Sequence, residues 1–306
     1  MQARVLGAAA GGGFPQWNSN AAACQRVRNG DPHARPRTQA SIAVSADGDQ
    51  WFLFNASPDL RHQIEATPCL HPRHGLRSSP IAGVVLTGGD VDAIAGLLTL
   101  RERHAFTIYG TAGMHQILDA NPIFEVLARD VVARRCVELG VPITLALPDG
   151  SPSGLSVELF AVPGKVPLYL EAPAEPPPIV ENDTTVGAAV SDGVWRLLFI
   201  PGCARMSHAL TRRLQGADVV LFDGTLWTDD EMLRAGLGSK TGLRMGHMSV
   251  SGQNGVLTAF EALDVGRKIL LHINNSNPIL LEDSAERAAV EAAGWQVAYD
   301  GMEIDL

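Results

Sequence analysis

The sequence predicts an α/β fold in which helices cover β-sheets that are mostly buried. Three observations lead to this prediction: short apolar runs rich in β-branched residues, helix-like stretches between them, and a hairpin pattern near the start of the chain. Uninterrupted apolar runs are typical of strands buried on both faces. Strands mixed with helices in this way form covered sheets and not a helical bundle. We see no domain linker and no short-period repeat, so one domain over residues 1–306 is expected.

The predicted elements follow one another along the whole chain. The hairpin comprises strands 40–44 and 51–55 around the turn Asp47-Gly48-Asp49. Further strands are predicted over 81–86, 196–200, 218–222 and 268–271. Helices are predicted over 93–102, 113–120, 207–214, 229–235, 250–263 and 283–293, several of them beginning at a capping Ser or Asp. The run Gly11-Gly12-Gly13 is expected to form a tight loop, and the Pro-rich stretch 172–178 a surface loop or the edge of a lid.

Composition excludes several classes of function. The chain has 306 residues, of which 46% are hydrophobic, and a formal net charge of −9, so it can bury a large core but is poorly suited to non-specific nucleic-acid binding. An anionic substrate would need a local cationic patch. No apolar run has the length of a membrane span, and the first ten residues do not resemble a secretory signal. The four cysteines lie far apart without C-x-x-C spacing, which indicates reduced thiols and a cytoplasmic location.

Acidic and imidazole side chains follow the predicted strands at the point where each strand ends. Asp90 and Asp92 follow strand 81–86, Asp223 follows strand 218–222, and His272 follows strand 268–271. Ligands of α/β sheets bind at the carboxyl ends of strands, and several buried carboxylates need a cation to offset their repulsion. The pattern therefore predicts a metal site. The alternatives are helix capping for Asp90 and Asp92, a turn for Asp223, and a core histidine for His272.

His247 is a fifth candidate metal ligand. It lies just before the helix predicted from residue 250, with Ser249 as a plausible cap. This position suits either a metal ligand or a general acid/base, although isolated surface histidines are common. We take His247 and Asp90 as the candidate catalytic groups of the predicted site.

The stretch Thr87–Leu97 resembles the first metal motif of the metallo-β-lactamase superfamily, T-H-x-H-x-D-H-x-x-G-L. Asp92, Gly96 and Leu97 match this motif, whereas the motif's three histidines are replaced here by Gly88, Asp90 and Ala93. The resemblance implies an αββα sandwich of two packed mixed β-sheets with outer helices.

Positions that correspond to the later metal-binding motifs of the same superfamily follow in order along the chain. Lys165, in Pro163-Gly164-Lys165, takes the place of a histidine, whereas Asp223 matches the bridging aspartate and His272 the last histidine. The stretch Gly246–Ser249 resembles the additional histidine motif of the tRNA-processing branch. More narrowly, the stretches Gly11–Asn18 and His272–Leu280 resemble the coenzyme PQQ biosynthesis protein B family, and this similarity spans the whole chain.

The resemblance also bears on the metal content. Many members of that family carry three clustered cysteines after the Trp-Asn pair, but this chain retains only Cys24. A lone thiol does not build a four-coordinate site, so no structural zinc is expected. Because Gly88 and Ala93 offer no ligand and Lys165 is a poor one, we expect one ion with open positions. Oxygen-rich ligation with one or two histidines favours iron or manganese over structural zinc, and carboxylates and histidine with open positions are typical of non-haem Fe(II). Fe(II) is therefore the expected ion.

The resemblance implies a substrate derived from a cross-linked Glu-Tyr unit, the precursor of PQQ. The leading hypothesis is therefore an iron-dependent hydroxylation of the tyrosine ring that uses O2. One alternative is a metal-dependent hydrolase acting on an ester or phosphoester, and another is a non-catalytic carrier of PQQ or its precursor. The other enzymes of the pathway are candidate partners, and the chain could form an oligomer.

Five further residues are candidates for contacts with that substrate. Arg244, Lys165 and Arg205 could bind its carboxylates, with arginine best suited to bidentate contact, or they could be solvated surface charges. Asn274 and Asn275 directly follow His272 and could orient the substrate or the metal ligands. A turn is the alternative role for the two asparagines.

Overall fold

Two seven-stranded mixed sheets form the centre of the computed structural model, which describes residues 1–171 and 178–306. The first sheet has the order β14-β1-β2-β3-β4-β5-β6 and the second the order β13-β12-β11-β10-β9-β8-β7. Strands of the first sheet are β1 (Gln2–Gly7), β2 (Ser41–Ser45), β3 (Trp51–Phe54), β4 (Ile81–Val85), β5 (Phe106–Gly110), β6 (Val132–Cys136) and β14 (Glu303–Asp305). Strands of the second sheet are β7 (Ile143–Ala146), β8 (Pro152–Gly164), β9 (Val180–Ser191), β10 (Arg196–Ile200), β11 (Ala217–Asp223), β12 (Val265–Leu271) and β13 (Trp295–Val297).

The two sheets share one pattern of strand direction. From β14 to β3 and from β7 to β10 the neighbouring strands are antiparallel. From β3 to β6 and from β10 to β13 they are parallel. The carboxyl ends of the parallel strands in each sheet therefore lie at one edge of that sheet, where α/β proteins place their ligands.

The helices are short. Their bounds are α1 (Ala22–Arg28), α2 (Leu60–Ala66), α3 (Val91–Ile94), α4 (Ala112–Ala120), α5 (His208–Leu214), α6 (Glu231–Arg234), α7 (Gly242–Met245), α8 (Val256–Ala259) and α9 (Ala285–Ala292), with 3₁₀ turns at 68–70, 95–100, 122–126, 168–170 and 278–280. None of the helices within the described ranges is long and apolar enough to cross a bilayer.

Strands of the second sheet are buried on both faces, as their apolar runs predict. In β10, Leu197 and Phe199 belong to the core shared with the first sheet, whereas Leu198 and Ile200 pack with α5, α8 and α9 on the outer side. β11 alternates in the same way, with Leu221 facing the inner core and its neighbours the outer one. The α/β sandwich of two packed mixed sheets with outer helices is thus confirmed.

Some predicted boundaries are wrong. The helix expected over 250–263 is limited to α8, because Gly252 adopts a left-handed φ of 90° and a side chain at Gly255 would collide with the backbone of Ser251. Ser249 does not cap a helix; its hydroxyl donates to the carbonyl of Ser251. The expected helix 93–102 continues α3 only as a 3₁₀ turn, and most of the Pro-rich stretch, residues 172–177, lies outside the described residues.

Gly96 allows two backbone segments to approach closely. Its amide donates to Ala56 at 2.8 Å, and a Cβ added at Gly96 would lie well inside van der Waals contact with the carbonyl of Ser57. We therefore expect Gly96→Ala to lower the free energy of unfolding by about 3 kcal/mol, measured by denaturant titration. Gly88→Ala is the matched control, because a Cβ there has no neighbour within 4 Å. Equal stability of the two variants would contradict this assignment.

Candidate metal centre

A cavity of about 520 Å³ lies where β4, β10, β11 and β12 end. Asp90 precedes α3 and Asp92 lies in its first turn, the residue after β12 is His272, and His247 follows α7. Asp223, the last residue of β11, is fully buried beneath them. The structure therefore brings the five predicted metal-binding candidates to one edge of the sandwich, although their positions are not equivalent.

Asp223, His247 and His272 form the most compact group. Each can place one ligand atom within 4.8 Å of the ligand atoms of the other two, which no other set of three described residues does. The Nδ1 atom of His247 lies 2.7 Å from Oδ2 of Asp223, and the two imidazole rings stack with centroids 5.1 Å apart. A buried carboxylate with two imidazoles is a set of donors that first-row divalent metals accept. The residues present therefore fit one such ion.

Thr225 holds this group together and was missed by the sequence reasoning. Its hydroxyl donates to Oδ1 of Asp223 at 2.6 Å, and it lies 3.1 Å and 2.9 Å from the Nδ1 atoms of His247 and His272. The other carboxylate oxygen of Asp223 accepts the amide of Cys203 at 2.9 Å. The position of Thr225 two residues after Asp223 was the available signal, because such a residue often contacts an aspartate at a turn.

Asp92 contacts the same group through His272. Its Oδ2 atom lies 2.9 Å from Nε2 of His272. Burial would raise the pKa of Asp92, but the hydrogen bond and charge of His272 outweigh it, and the pKa lies below its ordinary value. Burial would likewise lower the pKa of His272, but Asp92 outweighs it, and the pKa lies above its ordinary value. Both shifts favour the charged forms of this pair. Asp92 is thus placed to bind an ion or to orient the imidazole that does.

Asp90 lies in the same cavity but in a different environment. It is the N-cap residue of α3, yet its side chain makes no capping hydrogen bond. Its Oδ1 atom accepts the amide of Leu168 at 3.3 Å. Burial, with the charge of Asp92 as the next cause, raises the pKa of Asp90. The capping alternative therefore explains the backbone position of Asp90 but not the direction of its side chain.

The predicted substrate-binding residues are placed differently from one another. Lys165 and Asn274 line the cavity. Arg205 is exposed and outside the described lining of the cavity, so the prediction that it contacts substrate has no support from its position. Asn275 is also outside that lining, because its amide is buried between Gln16 and the thiol of Cys24.

Arg244 lies in a charged cluster that the sequence did not indicate. Its guanidinium contacts Glu171, with Nη2 2.9 Å from Oε2 and Nη1 3.4 Å from Oε1. Lys165 and Lys240 contact the same carboxylate, with Nζ–O distances of 3.0 Å and 3.3 Å. Hydrogen bonding from Arg244, followed by that from Lys165, lowers the pKa of Glu171 to about 2. Lys165 and Lys240 also line the cavity, so the cluster lies at its wall.

The comparisons with known proteins agree with this fold and show the family of the chain. Residues 50–273 match the model of the beta-lactamase superfamily domain, so the chain is a member of that superfamily of metal-site α/β sandwiches. It is 66% identical to coenzyme PQQ synthesis protein B of Gluconacetobacter diazotrophicus over 300 residues, or 98% of each chain. It is 52% identical to the protein of that name from Methylorubrum extorquens over the full length of both. The chain belongs to the coenzyme PQQ synthesis protein B family, whose members take part in PQQ biosynthesis.

Solved structures show the same relationship. The crystal structure of Zn²⁺-bound PqqB from Methylobacterium extorquens covers 100% of both chains with a TM-score of 0.96 and 52% identity. A diphosphatase of the PhnP family, with a TM-score of 0.71 and 20% identity over 99% of this chain and 97% of its own, shares the fold.

The zinc-bound relative corrects one prediction. The expectation of Fe(II), with no structural zinc, is contradicted by the crystal structure of a relative of 52% identity with Zn²⁺ bound. In the sequence, Asp90, Asp92 and Asp223 are equivalent candidate ligands, and three carboxylates would make an oxygen-rich site. The compact group contains one carboxylate and two imidazoles, and such a nitrogen-rich set is well suited to zinc.

Proposed function

We propose that the chain binds one divalent metal ion through Asp223, His247 and His272 and uses it to transform the precursor of PQQ. The single observation that carries this proposal is the convergence of these three side chains at the floor of a cavity of about 520 Å³. Zn²⁺ is the ion that the 52% identical relative holds, and three protein ligands with a vacant position are typical of a catalytic centre. The bound ion supplies Lewis acidity, which favours the deprotonated, electron-rich form of a hydroxyl group on the substrate ring.

The chain's own residues orient the metal ligands, exchange protons and bind the substrate. Thr225 fixes the orientation of both imidazoles through its hydroxyl, and Asp92 holds His272 from the other side. Asp90 lies in the cavity beside this group and is the candidate acid/base that exchanges a proton with the ring hydroxyl. Lys165 provides positive charge at the cavity wall for the carboxylates of an amino-acid-derived substrate.

The reaction we propose is an O2-dependent hydroxylation of the tyrosine-derived ring. A phenol and one O2 give an ortho-quinone and one water, so the ring supplies all the electrons and no further reductant is required. One oxygen atom of O2 forms the new C–O bond, and the other leaves as water with both displaced hydrogens. The polar floor and the cationic wall of the cavity suit a phenol with attached carboxylates.

Isotope labelling tests this reaction directly. The metal-loaded protein is incubated with the tyrosine-derived precursor under ¹⁸O2, and the product is analysed by mass spectrometry. We expect one heavy oxygen in the ring, and no turnover after the metal has been removed by a chelator. Retention of turnover without metal, or absence of the label from the ring, would refute the hydroxylase proposal.

A hydrolytic step on the same precursor is the second candidate, and the zinc-bound relative favours it. Zinc has no redox chemistry of its own and commonly activates water. A parallel incubation in H2¹⁸O under unlabelled O2 separates the two candidates, because a hydrolase places the heavy oxygen from water in a new carboxyl or phosphoryl group.

A further inference from the structure

The charged cluster of Lys165, Glu171, Lys240 and Arg244 has an unusual composition for a structural ion pair. Three cationic groups lie within 3.3 Å of one carboxylate. The side chain of Glu171 is only 8% exposed, and that of Lys165 only 11%. Gathering three cations around a single carboxylate leaves an excess of positive charge. Lys240 and Arg244 are 36% and 28% exposed and are partly solvated, so the cost falls mainly on the buried Lys165 unless a further anion arrives.

The position of the cluster indicates where that anion would come from. Lys165 and Lys240 line the same cavity as His247 and His272, and so do Met245 and Gly246 beside Arg244. Lys165 occupies the station where the superfamily motif has a histidine, so a cation stands here in place of a metal ligand. Lys165 and Lys240 therefore face the space that the substrate would fill, and Arg244, next to the lining residue Met245, shares their carboxylate partner.

Glu171 reaches the cluster from a short segment that makes few contacts with the other described residues. This segment, residues 166–171, contains a single 3₁₀ turn at 168–170. The amide of Leu168 donates to Asp90 at 3.3 Å, and the hydroxyl of Tyr169 donates to the carbonyl of Gly89 at 2.7 Å. Leu168, Tyr169 and Leu170 are all largely exposed. Pro167 is buried and fixes the start of the segment. Because residues 168–170 after it are exposed, movement of Glu171 away from the cations displaces little apolar surface.

From this arrangement we infer that Lys165, Lys240 and Arg244 form a carboxylate-binding subsite of the cavity, and that Glu171 occupies it until a carboxylate of the substrate displaces it. The inference rests on the proposed function, since it assumes that a carboxylate-bearing PQQ precursor enters this cavity. Arg244 already binds Glu171 through both terminal nitrogens, which is the bidentate geometry in which arginine recognises a free carboxylate. Glu171 is thus an internal competitor that raises the apparent dissociation constant of anionic ligands.

The depressed pKa of Glu171, about 2, agrees with this role. At neutral pH its carboxylate is charged and engages the cations fully. An uncharged ligand that displaces Glu171 loses the ion pairs with the three cations, whereas a ligand carboxylate forms equivalent ion pairs in its place. Competition of this type selects for ligands with carboxylates at the expense of affinity, a common way to obtain specificity.

Glu171→Gln removes the competing charge while keeping the size of the side chain. Using PQQ itself, a polycarboxylate, as the probe, we expect the variant to bind about tenfold more tightly than the wild type in calorimetric titration, because a larger fraction of the subsite is vacant. The methyl ester of PQQ, which lacks the charges, should bind both proteins equally. Glu158→Gln is the matched control: Glu158 pairs with Arg213 at 2.6 Å outside the described lining of the cavity, and its loss should not alter the affinity for PQQ.

The outcomes separate the inference from the proposed function. The inference is overturned if Glu171→Gln binds PQQ no more tightly than the wild type while its thermal unfolding matches that of the control. Glu171 would then only stabilise the fold. Equal tightening for PQQ and its ester also overturns it, because the variant would then simply widen the cavity. The proposed function is judged independently by metal binding and by labelled oxygen in the product, neither of which depends on the probe.

Arg244→Met adds a second, independent measurement. If the cations bind the ligand's carboxylate, this substitution should weaken PQQ binding more strongly in the Glu171→Gln background than in the wild type, since Glu171 no longer engages Arg244. Additive effects of the two substitutions would contradict a shared subsite.

Discussion

Asp223→Asn is expected to lower the affinity for Zn²⁺ by at least about a hundredfold, because the substitution replaces the only carboxylate of the compact group by a neutral amide. The amide keeps one oxygen and can therefore accept only one of the two backbone amides, that of Cys203, which binds Oδ2, or that of Thr225, which binds Oδ1. The metal-free protein should remain folded but be less stable, with its unfolding midpoint lowered by about 2–4 °C per kcal/mol lost. Calorimetric titration with Zn²⁺ and metal analysis after dialysis measure the effect.

Asp218→Asn is the control for this prediction. Asp218 lies near the other end of the same strand, β11, and accepts the amide of Arg196 at 2.7 Å. It is remote from the cavity, so its replacement should leave zinc binding unchanged. Retention of a full equivalent of zinc by Asp223→Asn would exclude the proposed metal centre.

The double variant Gly88→His, Ala93→His is expected to raise the metal content from about one to about two ions per chain. Both residues line the cavity and stand where the superfamily motif has histidines. A Cβ at Gly88 has no neighbour within 4 Å, so the added imidazole has room. Asp90 and Asp92 lie between these positions and could complete a second set of ligands.

Metal analysis of the double variant after loading with Zn²⁺ provides the measurement. Gly88→Ala, which adds a side chain without a ligand, should keep the wild-type content. If the double variant also binds a single ion, the absence of these histidines is not what limits the wild type to one. A second ion would, in addition, favour hydrolytic over oxidative chemistry.

Much of the fold could be predicted because a strand that is buried on both faces has an uninterrupted run of apolar residues. The runs around Leu198, Leu221 and Leu270 are uninterrupted for this reason, and the structure confirms them. Helix lengths were less predictable. The stretch around Gly252 and Gly255 has apolar residues at helical spacing, but its backbone cannot remain helical where glycine adopts left-handed φ or packs against another carbonyl.

The candidate site was predictable in its acidic and imidazole residues but not in its details. Strand ends identified Asp92, Asp223 and His272, because their position follows from topology. Sequence did not show which of them meet, since contacts such as that between Thr225 and both histidines depend on side-chain directions. The wrong prediction of Fe(II) has the same cause. The sequence offers three aspartates as ligands, but only one of them, Asp223, belongs to the compact group with His247 and His272.

The contact between Asp92 and His272 joins residues 180 positions apart, one following a strand of the first sheet and the other a strand of the second. Neither sheet alone supplies both partners. Docking of the two halves of the sandwich therefore brings Asp92 to a ligand group, Asp223, His247 and His272, that lies wholly between β11 and the residue after β12. The first half thus restrains the imidazole of His272 but supplies no member of that group.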